Sequence, residues 1–215
     1  MDYIRQLELF DNSTFKKQIH IIGCGAIGSW VAISLAKLGL APQITLYDFD
    51  KVEAHNLPNQ AFSVSDIGSL KAEALKDEIY RLTGQHVKTE GKYEEQRLSG
   101  YVFLMVDSMR ERKRISKQCK FQSQINHIID ARMGLSIIRL YNINPNNLAS
   151  IEKYKESLYS DESSEVSACG ASTSVITSAL SAASFAVRQL INVHNEELVD
   201  SEIIQEFIGN QVVNS

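Results

Sequence analysis

A glycine-rich turn between a strand and a helix constrains the fold of this chain more than any other feature. In IHIIGCGAIGSW, residues 19–30, Gly23, Gly25 and Gly28 form a G-x-G-x-x-G pattern directly after a short apolar run. The first glycine permits a tight turn, the second lets phosphates approach the backbone, and the third lets helix and strand pack closely. Asp48 lies 20 residues beyond Gly28, the distance expected for a carboxylate that binds ribose hydroxyls. The stretch therefore predicts a nucleotide site.

Strand and helix patterns alternate along most of the chain. Strands are predicted at 18–22, 43–48, 86–89, 101–106, 127–131 and 137–144, and helices at 26–38, 69–82 (capped by Ser69), 108–121, 147–159 and 172–191. This alternation is typical of an α/β protein with a Rossmann-like, mainly parallel sheet and helices on both faces. We expect one domain over 1–215. It would comprise an arm at 1–17, a nucleotide-binding core at 18–192 with a mobile crossover loop near 157–171, and a tail at 193–215.

Composition excludes several classes of protein. The chain has 215 residues, 44% of them apolar, and a net charge of −4, which argues against nonspecific binding to nucleic acid or anionic membranes. Its longest uncharged stretch, 166–187, is too rich in serine and threonine to span a membrane, and no signal peptide is visible. Three scattered cysteines suit neither a disulfide scaffold nor a zinc site. We therefore expect a reduced, cytoplasmic protein without zinc.

The residues after the glycine-rich turn favour phosphate chemistry over hydride transfer. A hydride-transfer enzyme needs only to hold its cofactor, whereas this chain adds an asparagine, a glutamine and a lysine suited to binding phosphate. The segments GCGAIGSWVAISLAKLGL, DFDKVEAHNLPNQ and DIGSLKAEA together resemble the ThiF/MoeB family, the ubiquitin-activating type of adenylyltransferase. The resemblance covers about residues 3 to 192. The order and spacing of these motifs are more specific than the glycine-rich turn alone.

This resemblance implies roles for five residues around the nucleotide. Asp48 would bind the ribose, and Asp50 would lie near the metal and the phosphates. Asn56 matches a family asparagine that contacts the phosphate region, and Gln60 matches the glutamine that closes the same motif. Lys71, in GSLK, matches the lysine that neutralises the phosphates.

Further roles are implied outside the nucleotide loop. The run MVDSMRERKRISKQC puts Asp107 at the Mg²⁺ position and Arg112 at the family's helix arginine. Arg5, in YIRQLELF, would reach into a neighbouring subunit's site, which requires a homodimer. Cys169, before a small-residue helix, matches a cysteine that forms a thioester or acyl-disulfide in sulfur-carrier-activating members. The sheet turns antiparallel in relatives beyond Gly134.

The chain departs from the family at one position. Asn59, preceded by Pro58, replaces the arginine of the N-L-x-R-Q motif. Asparagine donates hydrogen bonds but carries no charge, and an arginine aimed at a transferring phosphate is worth on the order of a thousandfold in rate. Either Arg112, Arg110 or a partner's arginine compensates, or the enzyme is slow, or it binds ATP without turnover.

The sequence thus predicts an ATP- and Mg²⁺-dependent adenylyltransferase. Its substrate would be the C-terminal carboxylate of a small ubiquitin-like or sulfur-carrier protein, or of a peptide. The alternatives are an NAD-dependent oxidoreductase, a non-catalytic partner subunit and a tRNA-modifying relative.

Each implied residue also has an ordinary structural interpretation. Lys71 and Arg5 could be surface residues, Asp107 a helix cap, and Cys169 a packing residue. The basic run RERKRISKQCK, with Arg110, Arg114 and Lys117 on one face, lacks interleaved aromatics, so nucleic acid is an unlikely partner.

Overall fold

One eight-stranded sheet organises the protein, which we describe from a computed structural model covering residues 1–134, 136–159, 175–207 and 211–214. The sheet order is β3-β2-β1-β4-β5-β6-β7-β8. Its strands are β1 (Ile19–Ile22), β2 (Ile44–Tyr47), β3 (Lys88–Glu90), β4 (Gly100–Leu104), β5 (Ile125–Met133), β6 (Ile137–Ile143), β7 (Glu202–Glu206) and β8 (Gln211–Asn214). The first five in the order are parallel, and the last three pairings are antiparallel. This confirms the predicted α/β fold, including the antiparallel strands of the second half.

Within the part of the chain that the structure describes, five helices cover the two faces of the sheet. They are α1 (Ala26–Leu35), α2 (Lys71–Thr83), α3 (Met109–Cys119), α4 (Leu148–Glu156) and α5 (Ile176–His194). Side chains alternate along each parallel strand, so Phe103 faces a core shared with α1, α2 and α5, whereas Leu104 faces a core shared with α3 and α4. Two apolar layers therefore enclose strands that are buried on both sides.

The strand order reverses beside β1. Ile22 lies opposite both Tyr47 of β2 and Leu104 of β4, so the segments after these three strands emerge at one edge of the sheet. Ligands of open α/β sheets bind in the crevice at the carboxyl ends of the strands where the order reverses. We call this boundary the carboxyl edge; it carries the glycine-rich turn, Asp48 and Asp107.

Several helix boundaries differ from the prediction, two of them for an identifiable local reason. After α1 the chain continues in one wider π-helical turn, Ala36–Leu40, which ends because Gly39 adopts a φ of 91°. Helix α2 begins at Lys71 rather than at a cap by Ser69. The residue at the cap position is Leu70, whose neighbour Lys71 donates its backbone N–H to Asp50 O at 2.8 Å. The fold-back of the preceding loop, not a serine cap, sets this helix start.

The chain ends are part of the fold rather than appendages. Phe10 and Phe15, predicted to lie in an arm outside the core, are 2% and 0% exposed. Residues 202–206, predicted to lie in a tail, pair with β6 as β7, and β8 pairs with β7. Within the described residues, none of the helices is both long enough and apolar enough to cross a bilayer.

Candidate functional site

The three glycines of the turn have different surroundings. Gly23 has a φ of 96°, and a Cβ there would lie 2.7 Å from Met105 O; a Cβ at Gly28 would lie 1.9 Å from Gly23 O. Both positions therefore need glycine for packing. A Cβ at Gly25 would meet no atom of any described residue within 4 Å. The space over Gly25, at the amino end of α1, is open to a ligand, and the free N–H groups of that end favour an anion.

Asp48 follows β2 and turns back onto the glycine-rich turn. Its Oδ2 accepts from Cys24 N at 2.7 Å and its Oδ1 accepts from Asp50 N at 2.8 Å. Burial raises the pKa of Asp48 above its usual value, against the opposing effect of these backbone hydrogen bonds and of the Lys71 charge. Each carboxylate oxygen has two lone pairs, so both retain capacity to accept a hydroxyl.

The loop after Asp48 folds back and brings Lys71 to the carboxyl edge. Val52 N donates to Ser69 O at 2.9 Å, and Lys51 pairs with Leu70 in an antiparallel bridge. This pairing sets Lys71 Nζ 3.2 Å from Asp50 Oδ2. Lys71 is 8% exposed, while the Asp50 side chain is 55% exposed. A buried lysine thus pairs with an exposed carboxylate at the carboxyl edge.

Helix α1 holds the segment containing Asn59 and Gln60. Trp30 Nε1 donates to Asn59 O at 3.0 Å, and Ser29 Oγ accepts from Ala61 N at 3.1 Å. Gln60 Oε1 is buried and has no hydrogen-bond partner among the described residues. The main chain at 59–61 is therefore fixed, and the Gln60 amide has an acceptor left for a ligand or a water.

Asn56 has a structural contact in addition to its predicted one. It is 6% exposed, and its Oδ1 accepts from Glu53 N at 2.9 Å in a capping box around a short 3-10 helix. This bond uses one acceptor of the side chain and orients it. The predicted contact of Asn56 with the phosphate region would therefore be made by its side-chain NH₂ group.

Asp107 is exposed where the segment after β4 meets helix α3. It is not the cap of α3, because Ser108 holds that position and accepts from Glu111 N at 3.3 Å. Among the described residues no group of three acidic, histidine or cysteine side chains could hold a metal without help. Mg²⁺ is commonly held by one or two carboxylates together with substrate phosphates and water, so a lone Asp107 fits a metal that arrives with a nucleotide.

Arg112 is buried in an ionic cluster and cannot replace the missing arginine at 59. Its guanidinium donates to the Asp130 carboxylate, to Leu104 O at 3.2 Å, to Val106 O and to Ala131 O at 3.3 Å. These contacts argue against compensation by Arg112 and favour Arg110 or a partner's arginine, the other sources that the sequence offers. Instead Arg112 ties together the ends of β4 and β5, next to Asp107.

The rest of this cluster was missed by sequence reasoning. Asp130 is fully buried and accepts from Arg132 Nη2 at 2.7 Å and from Tyr154 OH at 2.7 Å. Burial alone would raise the pKa of Asp130, but the charges of Arg112 and Arg132 outweigh it and hold the pKa below its usual value. The available signal was HIIDARM, in which Asp130 and Arg132 interrupt an apolar strand on the same face.

Arg5 does not join the other candidate residues. It lies exposed in a short 3-10 helix, Ile4–Gln6, and its neighbour Gln6 donates to Leu38 O at 3.0 Å. Leu38 is at the far end of α1 from the glycine-rich turn, about 15–18 Å away at the helical rise per residue. Cys169 lies outside the described residues.

Similarities to known proteins are consistent with this arrangement. Over 84 residues the chain is 33% identical to the ATP-dependent ubiquitin transferase-like protein Cap2 of Pseudomonas aeruginosa. The aligned segment covers 37% of this chain and 16% of Cap2. Over 79 residues it is 34% identical to the tRNA threonylcarbamoyladenosine dehydratase of Escherichia coli, covering 36% of this chain and 28% of the relative.

The structural likeness covers more of the chain. The solved structure of E. coli MccB with ATP matches with a TM-score of 0.74 and 17% identity, over 99% of this chain and 66% of the MccB chain. At this identity the match shows a common fold. The chain thus spans less than two thirds of each of these proteins. The ThiF family pattern itself matches residues 5–207. Because that match includes nearly the whole chain, the protein belongs to the ThiF family.

Proposed function

We propose that this protein is an ATP-dependent adenylyltransferase that activates the C-terminal carboxylate of a small ubiquitin-like or sulfur-carrier protein, or of a peptide. The observation that carries the proposal is the position of Lys71. A lysine that is 8% exposed, 3.2 Å from Asp50 and beside an open glycine-rich turn, suits the phosphates of a nucleotide. Relatives whose names refer to ubiquitin transfer, and a structural neighbour solved with ATP, support it.

The reaction follows from the charges at the carboxyl edge. A substrate carboxylate oxygen attacks the α-phosphorus of ATP, the bond to the bridging oxygen breaks, and pyrophosphate leaves with the electron pair. Negative charge grows on the leaving group, so Lys71 and the amino end of α1 stabilise the transition state. Asp48 would accept from the ribose hydroxyls and fix the nucleotide. Asp107 would hold Mg²⁺, which when bound would neutralise phosphate charge.

The Arg5 contribution is proposed to come from a second copy of the chain. Gln6, the neighbour of Arg5, contacts Leu38, which is about 15–18 Å along the helix from the glycine-rich turn, so Arg5 is proposed to serve a site across a dimer interface. Mixing Arg5→Ala with Lys71→Ala tests this, because a mixed dimer regains one complete site. Random pairing should restore about a quarter of wild-type activity. No recovery on mixing, or full activity of Arg5→Ala alone, would exclude donation in trans.

The direct test is pyrophosphate release from ATP and Mg²⁺ with a panel of Gly-Gly-tailed carrier proteins and peptides. Release that depends on the acyl substrate and is lost in Lys71→Ala and Asp107→Ala supports adenylation. One acyl adenylate formed for each pyrophosphate released, with free AMP appearing only as the acyl adenylate is hydrolysed, distinguishes adenylation from hydrolysis of ATP. Substrate-dependent release that is unchanged in both variants would contradict the assignment of the site.

A second candidate function is favoured by Asn59. If an uncharged residue at this position prevents turnover, the chain would bind ATP and donate Arg5 to another subunit. Arg112 is engaged with Asp130 and offers no substitute within the described chain. Wild type and Asn59→Arg together separate the two: a slow enzyme releases some pyrophosphate and Asn59→Arg accelerates it, whereas a chain silenced by Asn59 releases none until Asn59→Arg supplies the cation.

A further inference from the structure

One face of helix α3 carries a row of cations that the proposed reaction does not use. Arg110, Lys113, Lys117 and Lys120 follow one another at intervals of three and four residues, which places them on one side of a helix. The first three are exposed and Lys120 is partly exposed. We call these four residues the basic stripe. Arg114, predicted to belong to this face, instead donates to Tyr93 O at 2.8 Å and Glu94 O at 2.7 Å.

The basic stripe begins at the candidate site. Ser108 caps α3 directly after Asp107, so the stripe starts beside the carboxyl edge and runs along the 11 residues of α3. At the helical rise it extends for about 16 Å. Neither Lys113 nor Lys117 forms an ion pair with another described residue. The basic stripe is therefore available to a macromolecule bound next to the carboxyl edge.

The far end of the stripe carries an exposed aromatic residue in an unfavourable backbone conformation. Phe121 is 58% exposed and has a φ of 58°. Lys120 has φ −63° and ψ 128°, and Gln122 N donates to Cys119 O at 3.3 Å, as in a type II turn. The third position of such a turn normally has glycine or asparagine. Backbone strain at an exposed bulky residue is a recurrent feature of functional surfaces.

The two features are in contact. Lys120 Nζ lies 5.0 Å from the centre of the Phe121 ring and 4.0 Å from Glu152 Oε1. Leu148, one helical turn before Glu152 on α4, is 59% exposed. The stripe therefore ends in an apolar area flanked by a carboxylate.

We propose that the basic stripe and Phe121 form the docking surface for an acidic face of the protein that carries the substrate carboxylate; this rests on the proposed function. The charges favour a protein over a nucleic acid. Glu95 approaches Gln118 within 3.3 Å and Glu152 lies beside Lys120, so a continuous polyanion along the stripe would meet both carboxylates. A folded protein can present a discrete acidic patch to Lys113 and Lys117 and an apolar residue to Phe121.

The test uses three fluorescent probes at low ionic strength: a peptide with one pair of glutamates and one leucine that ends in Gly-Gly, the same peptide with serines in place of the glutamates, and a single-stranded RNA. Wild type should bind the glutamate peptide about tenfold or more tighter than the serine peptide. Lys113→Glu with Lys117→Glu should weaken that binding about tenfold or more. The matched control, Lys16→Glu with Lys17→Glu, makes the same change of charge on exposed residues before β1 and should stay within about twofold of wild type.

Phe121→Asn separates docking from folding. Asparagine tolerates a positive φ better than phenylalanine, so the Tm should not fall, while binding of the glutamate peptide should weaken. Unchanged binding in the double Lys variant, binding of no probe, or stripe-dependent binding of the RNA alone would each overturn the proposal.

Pyrophosphate release with a saturating serine peptide keeps the two proposals apart. The double Lys variant should retain the wild-type rate with that peptide, because its change lies outside the nucleotide site. Stripe-dependent binding without release by any form of the protein would leave the docking surface standing and remove the proposed reaction. If pyrophosphate is released but binding of the glutamate peptide is the same in wild type and in the double Lys variant, the proposed reaction stands and the docking surface is excluded.

Discussion

Two clusters of charged residues lie at the same edge of the sheet but have opposite relationships to solvent. The first comprises Asp48, Asp50 and Lys71; Asp48 accepts from Cys24 N of the glycine-rich turn, and the Asp50 side chain is 55% exposed. The second comprises Arg112, Asp130, Arg132 and Tyr154, with Asp130 fully buried. We call them the open cluster and the buried cluster. The open cluster has hydrogen-bonding capacity for a ligand, whereas the buried cluster satisfies its charges internally and fixes the ends of β4 and β5.

The comparison shows why residue type alone does not identify a site. Both clusters contain carboxylates and cations at the ends of parallel strands, where ligands of this fold bind. Only the surroundings differ: removing a buried partner leaves an uncompensated charge, and removing an exposed one leaves a solvated group. Stability and function should therefore respond separately to substitutions in the two clusters.

The largest expected effect is on stability in the buried cluster. Asp130→Ala leaves Arg112 and Arg132 buried without their carboxylate, so the free energy of unfolding should fall by about 3–5 kcal/mol. Lys71→Ala, the matched change in the open cluster, leaves Asp50 with a side chain that is 55% exposed and should cost less than about 1 kcal/mol. Urea denaturation of both variants provides the measurement. A similar loss in the two proteins would remove the distinction between the clusters.

The second effect is on catalysis in the open cluster. Lys71→Ala should lower the rate of pyrophosphate release by about a hundredfold to a thousandfold, the range expected for removal of one group that stabilises the transition-state charge. Its Tm should change little, because Asp50 remains largely solvated. Lys76→Ala on the same helix, which removes the 2.5 Å contact with Glu73, is the control and should keep the wild-type rate. Equal losses in the two lysine variants would contradict the role of Lys71.

Mild acid should lower the free energy of unfolding by protonating two histidines in the strands, at a pH at which the buried cluster keeps its charges. Burial lowers the pKa of His20 and of His127 to about 4. The folded pKa values lie below the unfolded value of 6.5, so stability is full above pH 6.5 and declines as the pH falls towards 4. Each histidine should cost on the order of 2 kcal/mol at pH 5. The pKa of Asp130 is lowered, so its carboxylate stays ionised throughout this window.

Thermal unfolding between pH 7 and pH 5 measures this slope. His20 accepts from Ser99 N through Nε2 and so carries its proton on Nδ1, which faces Tyr47 OH at 3.0 Å. His20→Gln removes one titrating group and should reduce the pH dependence by about half. An unchanged slope in His20→Gln would show that other groups cause it.

The smallest effect distinguishes the glycines of the turn. Gly25→Ala should keep wild-type stability, because a Cβ there meets no described atom within 4 Å, but should weaken ATP binding about tenfold by occupying ligand space. Gly28→Ala places its Cβ 1.9 Å from Gly23 O and should lower the Tm instead. Calorimetry and ATP titration of the pair give both quantities. Loss of stability in Gly25→Ala would mean that Gly25 is needed for packing.

The sequence predicts the start of the fold well because the causes are local. The turn at Gly23, the close packing at Gly28 and the left-handed stop at Gly84 each depend on a single residue's conformation or size. The alternation of strands and helices likewise reflects burial of successive segments. These features could be derived without knowing what lies far away along the chain.

The errors have long-range causes. Strand β7 pairs with β6 across more than sixty residues, which a five-residue EIIQE segment does not reveal. The start of α2 is set by the bridge between Lys51 and Leu70, not by the nearby Ser69. The ion pair between Arg112 and Asp130 joins helix α3 to strand β5. It gives Arg112 a structural role that its position in the motif did not indicate.

The most direct test of the central claim, that the open cluster holds ATP, is a calorimetric comparison of ATP and NADH binding to wild type and Lys71→Ala. We predict that ATP binds wild type and that its affinity falls at least tenfold in Lys71→Ala, whereas NADH binds neither protein with comparable affinity. NADH binding as tight as that of ATP, and unaffected by Lys71→Ala, would contradict the account.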